Sequence, residues 1–397
     1  MDFGGRSSST AAAAEDCRPP FAAAAGDCRP PAATYGTQPR RGNYCGLVPK
    51  VFILFLTLIL LTGCREKGTA PSTTPEEKIL NLYSWSEYFP PSVLVDFTKR
   101  TGIKVNLALY TTNEQLIDKL SSGVSDYDVV VPSDYAVRVL ILDKRLMALD
   151  RAKLPNFSNL DPRQLGLPYD RENQFSIPYL WGTTGIGVNK QVIHEPVDSW
   201  AVLFDPKYSG KISMLNDGRE NFVAALKLMG KSINETDPAI LNQAAEMLAK
   251  QKSLVKSYDS DSFDDKLRTG EAALVQGFNG QLAKVVHENK DKFYYVVPKE
   301  GATHWVDNLA ISATAKHPQA AMAFLDYILE PQVAADIVKA VGYASANSAA
   351  KKFIPAEILD DSNIYAPDEV LKRCEVMEDL GKTAPLLDKL WTRIKAK

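Results

Sequence analysis

Cysteine is scarce in this sequence, with 5 cysteines among 397 residues. Cys17, Cys28, Cys45 and Cys64 all stand in the N-terminal part, so only Cys374 is found beyond Cys64. A lone thiol cannot close an intrachain disulfide, and there is no cysteine cluster to hold a metal. The main part of the chain is therefore expected to fold without disulfides, without a metal site and without a cofactor.

The chain also has few histidines and a small net charge, and each of these observations argues against a class of function. The 4 histidines are dispersed along the chain, and no H-E-x-x-H motif or nucleophile elbow occurs. The formal net charge of -2 gives no indication of a nucleic-acid partner. These absences argue against an enzyme and against nucleic-acid binding.

The longest apolar run is too short to cross a membrane. Val51–Leu61 follows Arg40, Arg41 and Lys50, which is the order of charge and apolar residues in a signal peptide. The run ends in Leu61-Thr62-Gly63-Cys64, which resembles the bacterial lipobox; an ordinary signal peptide or a short membrane anchor is the alternative. We expect lipidation at Cys64 and a location on the periplasmic or cell-surface side of a bacterial membrane.

The chain therefore divides into several segments. Residues 1–47 carry an imperfect duplication rich in Ala and Pro, and we expect them to be disordered or not truly translated. Residues 48–63 are the predicted lipoprotein signal peptide, and residues 64–77 are a flexible tether. The folded part is predicted as lobe 1, residues 78–185 plus 306–352, and lobe 2, residues 186–305 plus 353–397.

Strands and helices alternate from Lys78 onward. "ILNLY" predicts a strand, and "PPSVLVDFTKRTG" predicts a helix with Pro at its start and Gly102 after its last turn. "FSIPYLWGTTGIGVNK" predicts a pair of strands with its glycines in the turn. The pattern then repeats, which favours two doubly wound α/β lobes with a ligand cleft between them.

Aromatic and acidic residues recur just past the ends of predicted strands. Trp85 and Tyr88 follow the first strand, and further residues follow later strands: Ser133, Tyr135, Asp217, Glu220 and Phe278. Each has a simpler explanation when taken alone: Trp85 as a core aromatic, Asp217 as a turn or cap residue, Glu220 as a complement to the helix dipole. Their shared position at strand ends predicts one common site.

The chemistry of this set favours a linear polyamine. Carboxylates at several points would hold separated ammonium groups by charge-assisted hydrogen bonds. Aromatic rings attract ammonium groups and would also contact the methylene linkers between them. Alkylamines carry charge at neutral pH because their pKa values lie near ~10.

The sequence from about Ile79 to Lys395 resembles the PotD-type spermidine/putrescine-binding proteins, the substrate-binding components of polyamine ABC importers. The matching stretches include "LYSWSEYFPP", "YDVVVPSDY", "SIPYLWGTTGIGVN", "NDGRE", "WVDNLAI" and "VGYASAN". The resemblance implies a periplasmic-binding-protein fold that closes on spermidine or putrescine and delivers it to an ABC-type permease. The ligand-binding residues that it implies are Trp85, Ser86, Glu87, Tyr88, Ser133, Tyr135, Asp217, Glu220, Phe278, Trp305, Asp307 and Tyr343.

Two positions depart from the family's spermidine binder. Phe278 stands where that protein has Trp, and Met377 stands where it has Gln, both at the end that holds the aminopropyl arm. Ligand length is therefore open between spermidine and putrescine. Alternatives to transport are a lipoprotein sensor, a binder of another cationic amine or an amino acid, and a hydrolase that uses Asp217 and Glu220 as a carboxylate pair.

Overall fold

The computed structural model describes residues 78–123 and 125–396. The predicted leader, the lipobox with Cys64 and the tether all lie outside these residues. In the part that is described, no helix has the length and apolar character needed to cross a membrane.

The strands form one continuous mixed sheet. In the described residues they are β1 (Ile79–Ser84), β2 (Lys104–Leu109), β3 (Val129–Val130), β4 (Ser176–Asn189), β5 (Ile212–Met214), β6 (Val255–Tyr258), β7 (Leu274–Phe278), β8 (Phe293–Val296), β9 (His304–Ile311) and β10 (Ala344–Ser345). Their order is β2-β1-β3-β9-β4-β7-β5-β6, and β8 and β10 also pair with β4. Strands β1, β2 and β3 are parallel to one another, as are β5, β6 and β7, whereas β4 and β9 run antiparallel to their neighbours.

Helices cover both parts of this sheet. They are α1 (Pro91–Thr101), α2 (Asn113–Ser121), α3 (Asp134–Leu142), α4 (Gly218–Leu228), α5 (Pro238–Gln251), α6 (Phe263–Thr269), α7 (Asn279–Glu288), α8 (Pro318–Ile328), α9 (Pro331–Val341), α10 (Ala356–Leu359), α11 (Asp368–Leu371) and α12 (Ala384–Ala396). The helix predicted after the first strand is confirmed, since α1 begins at Pro91 and ends at Thr101. Gly102 caps it with a φ of 74°, the left-handed value that glycine adopts easily.

The predicted strand pair over "FSIPYLWGTTGIGVNK" is wrong. These residues form the single 14-residue strand β4, which is buried along its whole length. Its glycines do not form a turn; they leave space for atoms of neighbouring chain segments. A Cβ on Gly182 would lie 2.4 Å from the Trp305 ring, and one on Gly185 would lie 2.5 Å from the Val296 carbonyl oxygen. Glycine is needed here because other chain segments approach the backbone closely.

Strand β4 passes from one lobe into the other. Its first half pairs with β9 and β10, and its second half pairs with β7 and β8. One hydrophobic core packs around β1, β3 and β9 with α1, α8 and α9, and another packs around β5, β7 and β8. The α/β class with two lobes and a cleft between them is thereby confirmed, while the exact lobe boundaries stay a prediction.

Candidate functional site

A cleft lies where the strand ends of the two lobes meet, with about 980 Å³ of empty space when the open solvent at its mouth is included. It brings together residues that are far apart in the sequence and that follow different strands. All twelve residues that the sequence predicted as ligand-binding line this cleft: Trp85, Ser86, Glu87, Tyr88, Ser133, Tyr135, Asp217, Glu220, Phe278, Trp305, Asp307 and Tyr343.

The segment after β1 forms one wall of the cleft. Trp85 donates its indole N–H to the Val131 carbonyl at 2.9 Å, and its ring packs 4.5 Å from that of Tyr110. Glu87 has a φ of 57°, a left-handed conformation that is uncommon outside glycine. The turn therefore places Trp85 against the residue that follows β3 and presents Ser86 and Glu87 at the exposed edge of the cleft.

Asp307, on β9, is the buried acid of the first lobe. Its side chain accepts hydrogen bonds from Ser133 Oγ at 2.6 Å and from the Tyr88 hydroxyl at 2.5 Å. Burial raises the pKa of Asp307 to about 6, although both hydrogen bonds favour the ionised form. A carboxylate held in this way is fixed in position and retains an uncompensated negative charge.

Asp217 and Glu220 supply the acids of the second lobe, at the start of α4. Asp217 is the N-cap residue and accepts from the Glu220 N–H at 3.1 Å. Glu220 is buried and accepts from Thr184 Oγ1 at 3.0 Å and from Thr303 Oγ1 at 3.1 Å. Burial raises the pKa of Asp217 to about 6 and that of Glu220 to about 8, and the negative charge of Asp217 raises the pKa of Glu220 further.

Aromatic rings form the apolar surface between these acids. Trp305 contacts Tyr343 edge to face, with ring centroids 5.0 Å apart, and contacts Phe278 edge to face at 6.1 Å. Tyr343 in turn lies 5.9 Å from Tyr88. Because these rings pack against one another, their positions are fixed by their neighbours, and their faces can contact aliphatic segments of a ligand.

The cleft is rich in acidic side chains, and the described residues add no cationic side chain to its lining. Its lining includes the carboxylates of Glu87, Asp134, Asp217, Glu220, Asp261 and Asp307, whereas no Lys, Arg or His of the described chain lines it. The guanidinium of Arg219 lies 5.2 Å over the Tyr135 ring and donates to the Glu378 carbonyl, outside the cleft lining. Buried carboxylates without cations are unfavourable until a cationic ligand enters.

A model of the family described as bacterial extracellular solute-binding protein matches residues 92–366. This chain belongs to that family. It is 36% identical over 340 residues to the spermidine/putrescine-binding periplasmic protein of Escherichia coli K12, which covers 85% of this chain and 97% of that protein. The resemblance expected from the sequence motifs is confirmed.

Solved structures of similar proteins agree with this family and fold. The spermidine/putrescine ABC transporter substrate-binding protein PotD from Streptococcus pneumoniae is 31% identical with a TM-score of 0.70, covering 80% of this chain and 98% of that chain. The Tp0655 (TpPotD) lipoprotein of Treponema pallidum is 26% identical with a TM-score of 0.73, covering 80% of this chain and 100% of that chain.

Several cleft residues of this solute-binding protein escaped the sequence analysis. Met377 was singled out and does line the cleft, but other lining residues were not: Tyr110, Thr111, Asn113, Asp134, Ser260, Asp261, Gln281, Thr303 and Val341. Tyr110 and Thr111 directly follow β2, and Ser260 and Asp261 follow β6. The strand-end argument that found Trp85 would therefore also have found them.

Proposed function

We propose that this protein binds a linear polyamine, spermidine or putrescine, outside the cytoplasmic membrane and delivers it to an ABC-type permease. The observation that carries the proposal is the cluster of buried carboxylates, with aromatic rings between them, in a cleft that no basic side chain of the described residues lines. Ammonium groups would neutralise the acids, and the rings would contact the methylene chain. We propose that the twelve residues predicted from the sequence contact this ligand.

Titration calorimetry of the purified protein tests this function. Spermidine and putrescine should bind, while an acidic and a neutral amino acid should not. An amino acid carries an α-carboxylate that usually requires an arginine partner. Arg219 is the arginine of the "NDGRE" motif, and its contacts with Tyr135 and Glu378 hold it out of the cleft lining. Binding of amino acids but not of polyamines would contradict the proposal.

The role in transport, rather than sensing or catalysis, is supported by the names of the relatives, which describe binding and transporter components. Among the described residues, no His, Lys or Arg lines the cleft beside the carboxylate pair Asp217 and Glu220. We therefore propose no reaction at this site. Incubation of the protein with spermidine, followed by mass analysis of the amine, should return the amine unchanged.

We propose further that Cys64 carries the lipid that anchors the protein. The lipobox-like sequence before Cys64 supports this, as does the name of the similar Treponema pallidum protein, which is a lipoprotein. Replacement of Cys64 by Ser should release the exported protein from the membrane fraction and change its mass by the lost acyl groups. Unchanged fractionation and mass would exclude the anchor.

A further inference from the structure

An apolar cluster joins the two lobes at one rim of the cleft. Ala136 of α3 belongs to the first lobe, whereas Val223 of α4 and Ile233 belong to the second. The three side chains are packed into one cluster, and none has more than 2% of its surface exposed. Ile117 of α2 packs against this cluster from the first lobe. The lobes therefore bury apolar side chains against each other, in addition to sharing the strands that connect them.

A short segment near the C-terminus adds to this contact. Asn234 fixes the segment on the second lobe, because its side-chain amide donates to the Val376 carbonyl at 2.9 Å and accepts from the Glu378 N–H at 2.9 Å. The Val376 side chain, however, packs against the first lobe, on the core cluster that includes Leu116 of α2 and Val130 of β3. We call the apolar residues that meet between the lobes the interlobe seam: Ile117, Ala136, Val223, Ile233 and Val376.

The interlobe seam is separate from the surface that a ligand would contact. None of its five residues is among those that line the cleft. Tyr135 and Met377 do line the cleft, and both also pack against the cluster, so they form its border with the site. Arg219 of α4 lies 5.2 Å over the Tyr135 ring and adds a further contact between the lobes. A seam residue can therefore affect binding only through the position of one lobe relative to the other.

Two opposing effects act on closure of the empty protein. Closure buries the carboxylates Asp307 and Glu220, with 4% and 3% of their surfaces exposed, and removal of charged groups from water is unfavourable. Opening must separate the side chains of the seam and expose them to water, which is also unfavourable. The seam needs no ligand for its effect, so it stabilises the closed form against the repulsive acids while the cleft is empty.

We propose that the interlobe seam is an apolar latch that holds the lobes closed in the absence of ligand. Only the closed form presents the residues of both lobes to an amine, so the apparent dissociation constant is the intrinsic constant divided by the closed fraction. A weaker seam reduces affinity for every amine by the same factor, whatever its length. This effect on affinity rests on the proposed polyamine-binding function, whereas closure of the empty protein does not.

Ile117→Gln tests the latch from the first lobe. Ile117 is half-buried and packs both on the core cluster of its own lobe and on the seam. Ile141→Gln is the matched control, since Ile141 of α3 is half-buried against the same core cluster but is not part of the seam. Small-angle X-ray scattering of the ligand-free proteins should show a larger radius of gyration for Ile117→Gln than for wild type and Ile141→Gln. Saturation with spermidine should remove this difference.

Val376→Ser tests the latch from the second lobe. Val370→Ser is its control, because Val370 of α11 is also half-buried but packs against the core of the second lobe. Titration calorimetry should show that Ile117→Gln and Val376→Ser weaken spermidine and putrescine binding by one common factor, about threefold to thirtyfold. Both control variants should change either affinity by less than about twofold. Far-UV circular dichroism establishes that each variant is folded.

Three results would overturn the latch. The first is a ligand-free wild-type protein already as expanded as Ile117→Gln, and the second is an equal response of a seam variant and its control. The third is a different factor for spermidine and putrescine, which would indicate direct ligand contact. Wild type that binds neither amine would overturn the proposed function, while scattering of the ligand-free proteins would still decide on the latch. If Ile117→Gln does not fold, Val376→Ser and its control decide both measurements.

Discussion

Ser133 donates a hydrogen bond to Asp307 across 2.6 Å, although 174 positions separate the two residues in the sequence. This contact joins the start of α3 to β9, and an isolated β-bridge links the same two residues. The acid is therefore positioned by the fold before any ligand arrives. Such preorganisation reduces the ordering that binding requires, so the loss of Asp307 should reduce affinity more than the loss of a mobile surface acid.

Asp307→Asn should weaken spermidine binding by roughly 2–5 kcal/mol, because a buried ammonium would lose its charge-assisted contact. Calorimetry at one fixed ionic strength gives the comparison with wild type. Glu246→Gln, at an exposed position on α5, is the control and should bind normally. Near wild-type affinity in Asp307→Asn would place Asp307 outside the site.

Glu220→Gln should stabilise the empty protein while it weakens binding. Burial raises the pKa of Glu220 to about 8, so the proton that it holds contributes stability below its unfolded pKa, and this contribution is lost as pH rises through about 8. Above pH 8 the buried Glu220 is ionised, which destabilises the empty protein, whereas a Gln stays neutral. We therefore expect Glu220→Gln to raise the free energy of unfolding by about 1–3 kcal/mol above pH 8. Denaturant titrations at pH 5 and pH 9 check it: the gain should be present at pH 9 and small at pH 5.

Binding should become tighter as pH rises from about 6 to about 8. In the empty cleft the pKa of Asp217 and Asp307 is raised to about 6, and that of Asp134 and Glu220 to about 8. A cationic ligand favours the ionised acids, so binding releases protons, while alkylamines with pKa values near ~10 stay charged. Calorimetry in buffers of different ionisation enthalpy measures the released protons. Affinity that falls over this interval would contradict the assignment of these acids to the site.

Part of the fold and site could be predicted from local signals, whereas other site residues, such as Trp305 and Asp307, were implied only by the family resemblance. Alternating apolar residues mark the strands, and residues such as Trp85 and Asp217 follow them at predictable places. The continuity of β4 could not be predicted, since the reason for its glycines is the close approach of Trp305 and Val296 from distant segments. Asp134 was passed over for a similar reason: its sequence position is that of an ordinary helix start, and only its burial distinguishes it.

Gly182→Ala tests this reading of β4. The new Cβ would lie 2.1 Å from Asn279 Oδ1 and 2.4 Å from the Trp305 ring, so one of these neighbours must move. We expect a loss of roughly 2–3 kcal/mol in stability and weaker spermidine binding through displacement of Trp305. Gly230→Ala is the control, since its φ of 66° is strained for Ala but no atom lies within 4 Å of the new Cβ. That variant should lose about 1 kcal/mol of stability and keep its affinity. Unchanged spermidine binding in Gly182→Ala would mean that the clash does not displace a ligand-contacting Trp305.

The preference between spermidine and putrescine depends on two opposing effects. Three acids of the cleft, the buried Glu220 and Asp307 and the half-buried Asp217, provide enough negative charge for a triamine. Phe278 and Met377 weaken the end predicted to hold the aminopropyl arm, because a Phe ring attracts cations less than Trp and a thioether is a poor hydrogen-bond acceptor. A charge-assisted contact is worth more than the roughly 1 kcal/mol of a ring exchange, so the acids should prevail and spermidine should bind.

The same comparison predicts how selectivity can be increased. Phe278→Trp combined with Met377→Gln should tighten spermidine binding by about 1–2 kcal/mol and change putrescine binding little, because putrescine has no aminopropyl arm to meet either side chain. Both dissociation constants should be measured for wild type and for the double variant at one ionic strength. A tenfold difference in affinity corresponds to about 1.4 kcal/mol. If wild type binds putrescine at least about tenfold tighter than spermidine, the binding energy lost at Phe278 and Met377 is larger than the binding energy that the carboxylates add for a triamine.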